Sequence, residues 1–206
     1  MPGLRTSYPI PKAAASAEQT VRASRFICHV GPASSLKEVT AELDRLASIH
    51  PKANHICWAC IIGPPGSPER AMSDDGEPRG TAGRPMLTVL DHSGYGEIWA
   101  AVVRYFGGIK LGKGGLIRAY TSSLQQALAR LESIEKQPLL QFRLCLDYNL
   151  LPLCERLLAE SGGSVIKRSF SDTVVLELQL PESSSEAFVR KMITVSGGTA
   201  RCEVHE

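Results

Sequence analysis

Residues 98–103, Ile98-Trp99-Ala100-Ala101-Val102-Val103, form an unbroken apolar run inside the stretch 97–106. A strand with one face in water alternates apolar and polar side chains, so a strand without that alternation belongs in the centre of a sheet. Its neighbours are legible nearby. Residues 18–30, with Val21, Phe26 and Ile27 among charged positions, read as a strand closed by Gly31-Pro32, and 56–62 (ICWACII) read as a buried strand. A shorter strand is expected at 86–90, joined to 97–106 by a turn at His92-Ser93-Gly94-Tyr95-Gly96. Two helices accompany them. Leu36, Val39, Leu43 and Leu46 recur at helical spacing over 36–49, with Ser34 or Ser35 as N-cap and Pro51 just beyond the end. Leu116, Ile117, Tyr120, Leu124, Leu128 and Leu131 line one face of a helix over 116–131. The first domain is therefore mixed α/β.

The second half follows a simpler order: strand 140–148, helix 150–160, strands 165–170 and 173–180, helix 184–195, and strand 199–204. That is βαββαβ, the ferredoxin-like signature. The expected layout is a flexible N-terminus over 1–17, a first domain over 18–134, a linker over 135–138 and a ferredoxin-like domain over 139–206. With 43% hydrophobic and 21% charged residues in 206, the chain has the composition of an ordinary globular protein that needs no disulfide staples. No run reaches membrane-spanning length and the first 16 residues hold no signal-peptide core, so a cytoplasmic protein without a membrane partner is expected. The six cysteines then read as free thiols. Cys57 and Cys60 make a C-x-x-C within a strand, where positions three apart point to opposite faces, a geometry that suits neither zinc nor a redox pair.

The net charge of +2 conceals an uneven distribution. Up to residue 134 there are 15 basic and 11 acidic residues, and beyond it 8 and 10, so the positive character belongs to the first domain. Twelve of the 18 glycines fall between Gly63 and Gly115, and no Asp or Glu occurs from residue 98 to 131. Within that window Arg104-Tyr105-Phe106-Gly107-Gly108 leads through Lys110, Gly112, Lys113, Gly114 and Gly115 to Arg118, passing from strand to helix. Glycines there let backbone N–H groups approach a phosphate, the basic side chains supply charge, and Tyr105 or Phe106 offers a stacking surface for a base. The spacing is neither a P-loop nor a dinucleotide fingerprint. A tight strand-to-helix turn, in which glycine only supplies positive φ, explains part of the same pattern.

A long loop is expected over 63–85, where five Pro and five Gly interrupt the apolar pattern. It carries Asp74, Asp75 and Glu77, then Thr81 and Arg84. Three carboxylates in four residues suit either Mg²⁺ or a solvated turn, and Thr81 and Arg84 suit either an anion or docking of the loop. No metal or cofactor is assigned. Among the histidines only His55, at the mouth of the 56–62 strand, is placed to act as an acid or base, and a structural hydrogen bond explains it as well. No nucleophile can be placed beside a base, so no catalytic residue is assigned. Arg25, His55, Asp74, Asp75, Glu77, Thr81 and Arg84 are grouped as a candidate cleft.

These segments closely resemble the YigZ/IMPACT family. The resemblance is carried by residues 96–112 (GEIWAAVVRYFGGIKLG), by Ser24-Arg25-Phe26-Ile27, by 55–58, by Ser73-Asp74-Asp75-Gly76-Glu77-Pro78 with Gly80-Thr81-Ala82-Gly83, and by Gly114-Gly115-Leu116 with Ala119-Tyr120. It covers residues 18–131, and the remainder looks like the small domain that bacterial members append, similar to a C-terminal domain of elongation factor G. For the first domain it implies an α/β fold like domain 2 of a small-subunit ribosomal protein and domain IV of elongation factor G, both of which point to ribosomal RNA. Eukaryotic relatives join the first domain to a different partner domain and regulate translation initiation. The C-x-x-C at Cys57 and Cys60 is not part of the family pattern. The expectation is an RNA- or ribosome-binding protein that modulates translation. An enzyme acting on a phosphorylated or nucleotide substrate, and a protein-interaction module, are the alternatives.

Overall fold

The computed structural model describes residues 7–205 and divides into two compact units, Tyr8–Lys136 and the chain from Gln137 onward. The first contains strands β1 (Tyr8–Pro11), β2 (Ala15–Val21) and β3 (Ser24–Pro32), helix α1 (Leu36–Ile49), strands β4 (His55–Ile61) and β5 (Arg70–Ser73), helix α2 (Gly83–Ser93), strand β6 (Ile98–Tyr105), helix α3 (Gly112–Leu128) and strand β7 (Ser133–Lys136). Five strands form one antiparallel sheet in the order β2-β3-β6-β4-β5. The unbroken apolar run sits where its composition demands, in the middle strand, with residues 98–104 all buried.

Both faces of that strand are covered. On one, Trp99 and Ala101 pack with Cys60 beneath Val39 and Leu46 of α1. On the other, Phe26, Cys57, Ala100 and Val102 meet Met86 and Leu90 of α2 and Leu116, Tyr120 and Leu124 of α3. Cys57 and Cys60 thus lie in different cores, as alternation along β4 requires. Helix α1 begins as expected: Ser35 Oγ accepts from Glu38 N at 3.3 Å, and Glu38 Oε2 accepts from Ser34 N at 2.8 Å.

Several expectations are corrected. Residues 86–90 are helical, within α2, because a five-residue apolar run does not distinguish the two periods and the cap comes from a distance. Asp74 Oδ1 accepts from Ala82 N and Gly83 N, each at 2.9 Å, so no local N-cap announces the helix. The span 63–85 is not loop throughout, since β5 pairs with β4 and α2 begins inside it. Residues 18–30 hold two strands, not one. They turn at Arg22 and Ala23, whose φ of 46° and 64° place two residues other than glycine in the left-handed region, so the sequence carries no turn signal. Finally, the flexible N-terminus and the linker both meet strand structure: β1 pairs with β7, from Tyr8 opposite Lys136 to Pro11 opposite Ser133. The expectation for residues 1–6 lies outside the described residues. Helix α3 also starts four residues before the expected 116, because its first turn is built from the glycines that helical propensity penalises.

The second unit holds β8 (Leu139–Leu146), α4 (Leu151–Glu160), β9 (Ser164–Phe170), β10 (Val174–Pro181), α5 (Glu182–Val195) and β11 (Arg201–His205). Its sheet order β11-β8-β10-β9, antiparallel throughout, is the ferredoxin-like arrangement. Leu144, Leu176, Leu178, Phe188 and Met192 form its core. Among the described residues no helix is long and apolar enough to cross a membrane.

Candidate nucleic-acid interface

The central strand β6 ends in Arg104-Tyr105, and alternation sends these neighbours to opposite faces. Arg104 points to the α2/α3 side, in register with Phe26 and His55 on the adjacent strands. It is buried, and its Nη1 donates to Glu77. Tyr120 OH donates to the same Glu77 oxygen, Oε1, at 2.8 Å, and Cys57 Sγ lies 3.3 Å from Tyr120 OH. Burial raises the Cys57 thiol to about 12, opposed by the Tyr120 bond and reinforced by the charges of Glu77, Asp75 and Asp74. Burial, then the neighbouring Cys57 and Glu77, likewise raises the Tyr120 phenol. Thiol and phenol therefore stay protonated at neutral pH, and the phenol adds a neutral hydrogen bond to the carboxylate that Arg104 already pairs, while the thiol meets the phenol oxygen and the Asp74 carbonyl.

The other carboxylates of the acidic loop are also engaged inside the fold. Burial of Asp74 disfavours its charge, but N–H donors from Gly80, Gly83 and Ala82, with Arg79 nearby, outweigh it and hold the group below its ordinary range. Asp75 Oδ2 accepts from Ile56 N at 2.6 Å. Thr81 is buried, its hydroxyl donating to the Pro78 carbonyl at 2.6 Å. The loop is tied to the sheet through Asp75 and to Arg104 through Glu77, while the Thr81 bond stays within the loop.

The basic segment differs. Lys110 and Lys113 are exposed beside an open cleft of about 480 Å³ whose walls include Asn54, His55, Phe106 and Leu116, with Glu77 and Arg104 between them. Phe106, 45% exposed, faces this cleft with the Arg104 guanidinium carbon 5.5 Å from its ring centre. Gly107 lets it arrive there: a Cβ at that position would meet the Ala23 carbonyl at 2.0 Å, so only glycine allows β6 to pass this close to the β2–β3 turn. Gly112, Gly114 and Gly115 lie in the first turn of α3, which has no acidic residue and no side-chain cap. Its first N–H groups have no intrahelical acceptor. His55 Nδ1 lies 2.6 Å from the Asp75 carbonyl, which can only accept, so Nδ1 donates that bond.

Not all the expected residues meet here. Tyr105 lies on the α1 face, its hydroxyl 2.9 Å from His50 Nδ1. Arg25 shares that face, 5.8 Å from the Tyr105 ring centre and ion-paired with Glu18 at 2.6 Å. Arg84 is exposed on the first turn of α2 and Arg118 on the second turn of α3. Arg118 borders a second groove of about 470 Å³ with Arg22, Gly115 and Ser122, and Leu111 is the wall common to both. Two contributors escaped the sequence reading. Arg22 is brought forward by the strained hairpin turn, and Asn54 fixes Phe106 by accepting from its backbone N–H at 2.8 Å. Nothing in a single sequence marks either, though Asn54 directly precedes the 55–58 motif and Arg22 lies two residues before Ser24.

A mixed α/β unit with a glycine-rich strand-to-helix turn, followed by a ferredoxin-like unit, defines the class. The Impact N-terminal domain matches residues 22–128, and a domain of unknown function (DUF1949) matches 144–199. The chain belongs to the IMPACT family. It is 41% identical over 192 residues to an IMPACT family member of Haemophilus influenzae, covering 93% of each chain. It is 39% identical over 194 residues to the IMPACT family member YigZ of Escherichia coli, covering 94% of this chain and 95% of that one. A crystal structure described as that of a hypothetical protein superposes with a TM-score of 0.75 at 38% identity, over 98% of this chain and 99% of the other.

Proposed function

We propose that this protein binds RNA, in the setting of the ribosome, and modulates translation. One observation carries the reading. Of the two charged segments on the cleft, the acidic one accepts backbone N–H bonds through Asp74 and Asp75 and pairs Glu77 with Arg104, while the basic one leaves Lys110 and Lys113 exposed beside an exposed aromatic ring. That combination of cations for a phosphate backbone and a π-face for a base is what single-strand binding uses. Arg118 and Arg22 extend the positive surface into the adjoining groove.

Sedimentation of the protein with ribosomes across a salt series, with and without nuclease, tests it. Co-sedimentation that is lost with rising salt and with nuclease supports the reading. Co-sedimentation indifferent to both points instead to a protein partner.

A further inference from the structure

The cleft has a floor as well as walls, and the floor is incompletely satisfied. Arg104, a residue of that floor, is 5% exposed, and its Nε is buried with no hydrogen-bond partner among the described residues. Buried polar groups are ordinarily paired, and an unpaired one marks a position where an acceptor belongs. Glu77 meets the guanidinium at Nη1, leaving Nε uncompensated. The Phe106 ring lies over this guanidinium, and Phe26 lies 5.5 Å away in the core. Of the two rings, only Phe106 is free to move, since Phe26 is fully buried.

Four donor groups belong to residues that line this one cleft: Lys110, Lys113, the uncapped first turn of α3, and the buried Arg104 Nε. Such a set suits a phosphate, whose oxygens accept from all of them. About 480 Å³ is room for a small ligand and not for a folded RNA element. Phe106 provides the only aromatic wall, and His55 Nε2 and the Asn54 amide are polar groups of the kind that meet a base edge.

We infer that the cleft is a pocket for one phosphorylated nucleotide unit. The phosphate sits on the first turn of α3 between Lys110 and Lys113 and supplies the acceptor that Arg104 Nε lacks. The Phe106 ring turns off the guanidinium to receive the base. This rests on the RNA-binding reading and narrows it, from a charged surface to a site that engages a single nucleotide of the bound chain.

The test is an NMR titration of the full chain with adenosine 5′-monophosphate, run beside adenosine and inorganic phosphate, observing backbone amides and the Arg104 side-chain Nε–H. The nucleotide is expected to move the amides of residues 112–115 together with the Arg104 Nε–H. Phosphate alone should bind more weakly, and adenosine alone should leave the α3 amides in place. Phe106→Ala should weaken the nucleotide about tenfold, with phosphate binding unchanged. A silent Arg104 Nε–H, or equal binding of nucleotide and phosphate in both proteins, overturns the pocket. A short oligoribonucleotide, titrated in parallel, separates this from the broader reading. If the oligonucleotide binds and the mononucleotide does not, the pocket is wrong and RNA binding stands. If only the mononucleotide binds, the pocket stands and RNA binding is wrong.

Discussion

The acidic run at residues 74–77 and the basic run at residues 104–118 each crowd charge into a short glycine-containing segment, and both border the same cleft. Their charges are used differently. Asp74 caps α2, Asp75 ties down the start of β4, and Glu77 is held by Arg104 and Tyr120. Of the basic run, only Arg104 is drawn inside, while Lys110, Lys113 and Arg118 remain exposed. The lesson is that a charge cluster becomes structural where unpaired backbone N–H groups or a buried counter-charge lie within reach, and stays available for a ligand where neither does.

Variants on the structural side should be the most damaging. Arg104→Ala leaves Glu77 buried without its counter-ion and should lower stability by about 3–5 kcal/mol, read from chemical denaturation. If it costs less than about 1 kcal/mol, the ion pair is not the support described here. Gly107→Ala forces a Cβ into the Ala23 carbonyl and should cost about 1–3 kcal/mol, with a loss of RNA affinity in whatever folded protein remains.

Asp74→Ala removes the long-range cap of α2 and should cost about 0.5–2 kcal/mol. The pH dependence has a defined sign. Because the folded-state carboxyl lies below its unfolded value, its contribution is fully present above the unfolded value of about 3.9 and is lost as pH falls through the folded one. The wild-type protein should therefore lose more stability than the variant on acidification below about pH 4, and parallel curves would rule Asp74 out as the source. At the small end of the scale, Lys110→Ala with Lys113→Ala should change stability by less than about 0.5 kcal/mol, since both side chains are exposed. A larger loss would mean the lysines are structural after all.

The sheet centre was legible because unbroken apolarity over 98–103 has one physical meaning, and the second unit because its elements alternate cleanly. Helix α2 was not, since its N-terminus is capped by Asp74, eight residues before Ala82. The hairpin at Arg22-Ala23 was hidden because residues that normally avoid positive φ adopt it there. For the site, composition revealed the basic run but not which member turns inward. That depends on register: Arg104 faces Phe26 and Glu77, whereas its neighbour Tyr105 faces α1. Arg25 and His55 similarly part company because they pair with adjacent, oppositely facing positions of β6.

The claim at the centre of this comparison is that the basic run engages phosphates while the acidic run does not. The most direct measurement is the salt dependence of binding to a single-stranded oligoribonucleotide, plotted as log affinity against log salt, for the wild type and the Lys110→Ala, Lys113→Ala double variant. The slope should become shallower by about one to two in the variant, with folding intact. An unchanged slope, or binding that ignores salt in the wild type, would contradict it.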